Sequence, residues 1–172
     1  MTIRHPFVFI NVYLCPQYRV LQDLAGLLQH EVLEGPCHGR QALALALKTA
    51  RDVYRYLLKT RRMKNGPVEA QMSLISPKTT YDGFQNAEVV IEGVVERMNV
   101  KKQVFQVLDE LVQPSACLLT NTSSLSVTEM AECTNRPDKV CGFHFFNPVH
   151  RMPLLEIIVT EKTSEETLAT AV

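Results

Sequence analysis

The 172-residue sequence has seven glycines, at positions 26, 35, 39, 66, 83, 93 and 142, and none has another glycine two residues away. It therefore lacks the G-x-G-x-x-G turn that admits a pyrophosphate to a helix N-terminus. Its five cysteines (Cys15, Cys37, Cys117, Cys133, Cys141) are odd in number and form no C-x-x-C. That argues against a disulfide framework or a zinc site and points to a reducing compartment. Charge of one sign is missing too, because 18 basic residues balance 18 acidic ones. Nothing in the balance favours nucleic acid or a membrane surface as partner. The apolar run FVFINVYLC at residues 7–15 is too short to span a bilayer and has no small-residue cleavage site. A soluble, cytoplasmic protein acting on a small molecule is expected.

What is present is a chain that is 46% apolar and long enough to bury one sizeable core. FVFINVYL reads as a strand, and Leu21, Leu24, Leu28 and Val32 recur at helical spacing. A second helix over Gln41–Met63 places Leu43, Leu47, Tyr54, Leu57 and Leu58 on one stripe, and MSLIS is a short strand. EVVIEGVV is a near-continuous apolar run of strand length, the pattern of a parallel strand covered on both faces. Met98–Val112 is the clearest helix, with Val100, Val104, Leu108 and Leu111 on one side and lysines on the other. ACLLT, KVCGFHFF and LLEIIV are further strands. Ser126-x-x-Glu129 opens a short helix, and Thr163-x-x-Glu166 caps a last one. Strands alternating with amphipathic helices predict an α/β, Rossmann-like domain with a mostly parallel sheet.

In open sheets of this kind ligands bind beyond the carboxyl ends of the strands. Those ends carry Val95-Glu96, the stretch NTSS (residues 121–124) and HFFNP (residues 144–148). Each has a purely structural alternative. Asn121 and the serines can cap a helix, His144 can be a satisfied core histidine, and Glu96 can favour a helix dipole. Together they suggest more. If the strands around His144 and Leu154 lie side by side, Glu156 comes within hydrogen-bonding reach of the imidazole. An acid there would fix the tautomer and raise the basicity of the ring, making His144 a general base.

From TTYDGFQNAEVVIEGVVERMNVKK through NTSSLSVTEMAE to VCGFHFFNPVHRMPLLEIIVTEKTSEETLATAV, the chain resembles the NAD-binding domain of 3-hydroxyacyl-CoA dehydrogenases. The HFFNPVHRMPL version is similar to that of the bacterial fatty-acid oxidation multifunctional α subunit. The resemblance implies NAD as cofactor and a 3-hydroxyacyl-CoA as substrate in β-oxidation. It implies His144 as catalytic base, Glu156 as its partner, Ser123 on the reacting oxygen or the cofactor, and Asn147 on substrate or nicotinamide. Val94, Val95, Glu96 and Lys101 would line the nicotinamide side, with Asn121 nearby.

The chain departs from that pattern at its first glycine turn, where YLCPQYRV stands instead. The acidic residue expected to hold the adenosine ribose is not found either. The expected organisation is an unassigned segment over residues 1–40 and a partial NAD-binding domain over residues 41–172, without the helical domain that follows in the family. A homo-oligomer or a complementing chain is the expected partner. Two readings remain open: a dehydrogenase domain fragment, or an inactive remnant that binds a nucleotide or a partner weakly.

Overall fold

The structure, a computed structural model, describes residues 9–12, 40–61, 68–146, 152 and 154–172. The helix expected over residues 18–33 and the stretch where a glycine turn would be sought lie outside them. The chain divides into two compact units: residues 1–82 with 147–151, and residues 83–146 with 152–172.

In the first unit β1 (Phe9–Val12) pairs antiparallel with β2 (Ile75–Lys78). A long helix, α1 (Arg40–Lys59), precedes the short α2 (Val68–Met72). The stripe that α1 buries is centred on Ala46, Ala50, Val53, Tyr54 and Leu57. Leu43, Leu47 and Leu58 lie at its half-buried flanks. Ala50 and Tyr54 pack on Met72 and Ile75.

The second unit is a four-stranded sheet in the order β3 (Val89–Glu92), β4 (Cys117–Thr120), β5 (Val140–Phe145), β6 (Leu155–Ile158). The first three strands run parallel and β6 runs antiparallel to β5. Three helices belong to this unit: α3 (Met98–Leu111), α4 (Val127–Ala131) and α5 (Glu165–Ala171). Strand pairing puts Glu92, Thr120, Gly142 and Ile158 in one row across the sheet. That face is covered by α4, whose Val127 approaches Gly142 and whose Met130 lies against the Thr120 hydroxyl. On the opposite face Cys117 meets Thr167 of α5. The result is the mixed, mostly parallel α/β arrangement expected from the run of apolar strands.

Two expectations need correction. Ser164, not Thr163, caps α5, accepting the Thr167 N–H. Thr163 instead donates to the Val140 carbonyl at 2.8 Å and so ties the loop to β5. The lysines of α3 do not all face water either. Lys101 is fully buried among Val104, Phe105 and Leu108 on the inward face, because a carboxylate on β3 awaits it.

The far end of α3 is closed by a second charged group. Asp109 accepts the Asn135 backbone N–H at 2.8 Å and the Arg136 Nε–H at 2.7 Å. Arg136 also donates to the carbonyls of Asp109 and Gln113, at 2.6 and 2.5 Å, satisfying acceptors that a helix end leaves open. Burial pushes the Asp109 carboxyl up, but the Asn135 and Arg136 donors outweigh it and hold the group below its ordinary value of 3.8. A depressed carboxyl contributes stability above its unfolded pKa and loses it as pH falls through the folded value. The contribution of Asp109 to the melting temperature should therefore hold from pH 7 down to about pH 4 and then fall. Asp109→Asn should melt lower at pH 6 and lose less between about pH 4 and pH 3. Parallel acid-melting curves for the two proteins would contradict this.

Gly142 sets the fit of β5 to β6. A Cβ there would lie 2.8 Å from Ile158 Cβ and 3.1 Å from Val127 Cγ2, so strand and helix would both have to move. Gly142→Ala should cost roughly 1–3 kcal/mol in denaturant unfolding. An unchanged midpoint would mean that the strands sit farther apart than described.

Candidate active site at the strand ends

β5 and β6 are in the register His144↔Glu156, two residues beyond the Gly142↔Ile158 pair and on the same face. The histidine Nδ1 lies 2.9 Å from Glu156 Oε2. A carboxylate can only accept, so against it Nδ1 carries the hydrogen and donates; in the neutral ring Nε2 then keeps its lone pair. Nε2 has no hydrogen-bond partner among the described residues. The His144 side chain is 21% exposed and that of Glu156 is 52% exposed. Both can therefore reach a ligand or solvent. Phe146 stacks at a tilt on the imidazole, with ring centroids 4.9 Å apart. Phe143 and Phe145 turn to the other face and meet edge to face.

The carboxyl ends of β3 and β4 carry a second group of polar side chains. Glu96 Oε1 accepts the Thr122 hydroxyl at 2.5 Å and the Ser123 backbone N–H at 3.1 Å. Its Oε2 faces the Lys101 ammonium at 3.4 Å. Burial pushes the Glu96 carboxyl up, yet the Thr122 hydroxyl, the Lys101 charge and the Ser123 N–H together hold it below its ordinary value. It is ionised at neutral pH. Thr122 in turn accepts the Leu125 N–H at 3.1 Å, which shapes the turn that leads to Ser126, the cap of α4.

Of the residues singled out from sequence, Val94 is buried, while Val95 and Ser123 are exposed. Asn121 is buried, and its Oδ1 accepts the Phe145 N–H at 3.3 Å, so its side chain closes the end of β4 onto β5 rather than capping a helix. Lys101 has no exposed surface, and its ammonium is enclosed by Glu92, Glu96 and the Val94 carbonyl. Asn147 lies outside the described residues. Sequence reasoning missed Glu92, which is buried beside Lys101. The available signal was one glutamate inside the apolar run EVVIEGVV.

An exposed apolar side chain, a carboxylate and a serine thus stand on adjacent strand ends. That combination suits the nicotinamide half of NAD, whose ring needs an apolar wall and whose ribose and carboxamide need hydrogen-bonding groups. Among the described residues no cluster of histidine, cysteine and carboxylate could hold a metal ion. No described helix is long and apolar enough to cross a membrane.

The family described as "3-hydroxyacyl-CoA dehydrogenase, NAD binding domain" matches residues 38–172. The fold is similar to that of 3-hydroxybutyryl-CoA dehydrogenase from Escherichia coli K12, with TM-score 0.74, 27% identity, 89% of this chain covered and 32% of that one. It is similar to (S)-3-hydroxybutyryl-CoA dehydrogenase PaaH1 from Ralstonia eutropha, with TM-score 0.73, 25% identity and coverage of 88% and 53%. FadB2 from M. tuberculosis gives TM-score 0.72, 26% identity and coverage of 88% and 53%. The chain thus spans between about a third and about half of the length of these structures. With more than three quarters of its length inside the family match, the chain belongs to the family of 3-hydroxyacyl-CoA dehydrogenase NAD-binding domains.

Proposed function

We propose that the chain provides the catalytic base and the nicotinamide-side half of an NAD-dependent 3-hydroxyacyl-CoA dehydrogenase, acting in fatty-acid β-oxidation. The reading rests above all on the 2.9 Å contact between His144 Nδ1 and Glu156 Oε2 at the sheet's active edge. Val95, Glu96 and Ser123 form the cofactor side, supported from beneath by the buried Val94, Lys101 and Asn121, with Asn147 assigned by resemblance alone. NAD, when bound, supplies the two-electron hydride acceptor.

The chain's own groups handle the proton. His144 Nε2 accepts it from the 3-hydroxyl, and Glu156 holds the ring in the productive tautomer and stabilises the resulting imidazolium. Ser123 donates a hydrogen bond to the oxygen that becomes the carbonyl, or to the cofactor beside it. The runner-up is an inactive remnant that binds nucleotide weakly, and the missing G-x-G-x-x-G turn favours it.

The test is oxidation of NADH with acetoacetyl-CoA, measured for the full chain and for His144→Ala. Removing a positioned general base should lower the rate about 100- to 10,000-fold. Glu156→Gln should fall between, because the ring keeps its place and loses the charge that steadies the imidazolium. A rate insensitive to His144→Ala would remove the base from the mechanism. Absence of any rate above background, with NADH binding retained, would support the remnant.

A further inference from the structure

Lys101 and Glu92 form a fully buried ion pair, with side chains 0% and 1% exposed. Nothing in the proton transfer above uses Glu92. Its oxygens nonetheless receive four hydrogen bonds. Oε1 accepts the Val94 N–H at 2.5 Å and the ammonium at 2.9 Å. Oε2 accepts the Thr120 hydroxyl at 2.7 Å and the ammonium at 3.1 Å. The ammonium's remaining neighbours are the Val94 carbonyl at 3.3 Å and Glu96 Oε2 at 3.4 Å. Glu96 then holds Thr122 and the Ser123 N–H. One lysine thus stands between two carboxylates, one sealed in the sheet and one at the nicotinamide edge.

We propose that Glu92 is a positioning residue: it fixes the Lys101 ammonium under the sheet end, and that ammonium holds Glu96 and with it the Thr122–Ser123 turn that meets the cofactor. The alternative for this charge is poor. Buried and without Glu92, the ammonium would lose its counter-charge and draw Glu96 inward, away from the turn. A glutamine in place of Glu92 cannot restore the arrangement. The ammonium bonds both carboxylate oxygens and can only donate, and an amide offers one accepting oxygen and a donating NH₂, so the ammonium would face another donor. The consequence for NAD rests on the dehydrogenase reading above, whereas the coupling from Glu92 to Ser123 does not.

Two readouts separate them. Amide hydrogen exchange on the ligand-free full chain reports the turn directly, and NADH titration by fluorescence reports the cofactor side. In Glu92→Gln the Val94 and Ser123 amides should lose about tenfold protection while Leu119 in β4 keeps its own. NADH should bind about tenfold more weakly, the effect of one lost hydrogen bond to a charged group. The double variant Glu92→Gln, Lys101→Met removes the buried charge, so it should remain folded even where the single variant fails. It should recover most of the melting temperature without recovering Ser123 protection or NADH affinity, a split that a merely structural pair would not give. Unchanged Ser123 exchange in a folded variant, or recovery of both properties in the double variant, would overturn the proposal. Should the unaltered chain take up no NADH at millimolar concentration, the dehydrogenase reading fails, and the exchange data still decide the coupling.

Discussion

The register of β5 on β6 is the constraint on which the site depends. Side chains alternate faces along a strand, so a slip by one residue would carry Glu156 to the face opposite His144. The antiparallel pairing by itself permits such a slip. What opposes it is steric: Ile158 sits over Gly142, where no side chain would fit, and Val127 of α4 fills the remaining space. An ordinary residue at position 142 would prop the strands apart, and the imidazole and carboxylate two residues along would separate with them. The His144–Glu156 geometry is thus set by apolar packing next to it, and their hydrogen bond follows from that packing.

Much of this architecture was legible in the sequence because the middle of the sheet, β4 and most of β5, is buried on both faces. Continuous apolar runs identified β3, β4 and β5, and a helix period identified α3 almost to its ends. The short β6 was legible as a strand, and its pairing with β5, stated from sequence only as a condition, is the one the register shows. What the pattern could not show was how side-chain size divides a face. In the first half of α1 Ala46 and Ala50, not Leu43 and Leu47, occupy the centre of the buried stripe, because a small residue allows closer approach while longer ones reach in from the sides. The cap of α5 moved one residue for a similar reason. Thr163 and Ser164 are both competent caps, and the choice went to Ser164 once Thr163 had a carbonyl on β5 to bond.

Charge was read less well than apolarity. A lysine on an amphipathic helix is ordinarily solvent-facing, so periodicity put Lys101 outside. The deciding information was a glutamate in a strand that had no other reason to be polar. A carboxylate in an apolar run demands a partner, and Lys101 is the cation whose ammonium reaches it. Reading Glu92 as a requirement rather than as an exception would have buried Lys101 from sequence alone. The His144–Glu156 relation was visible because the two residues lie twelve positions apart on strands consecutive in the sequence. The Glu92–Lys101 relation crosses from sheet to helix and left only a mismatch of polarity as its trace.

The two acid–base pairs differ most in their exposure, and this separates their roles. Lys101 and Glu92 are sealed, with every donor and acceptor committed, so neither can exchange a proton with a ligand without breaking several bonds at once. Such a pair is suited to holding a position. His144 and Glu156 share a single hydrogen bond, keep part of their surface open, and leave one imidazole nitrogen uncommitted among the described residues. That pair is suited to moving a proton. Glu96 lies between these extremes: one oxygen is held by the Thr122–Ser123 turn, the other is tethered to the buried ammonium, and its side chain is 36% exposed. The sheet edge therefore grades from committed charge at β3 to available charge at β5.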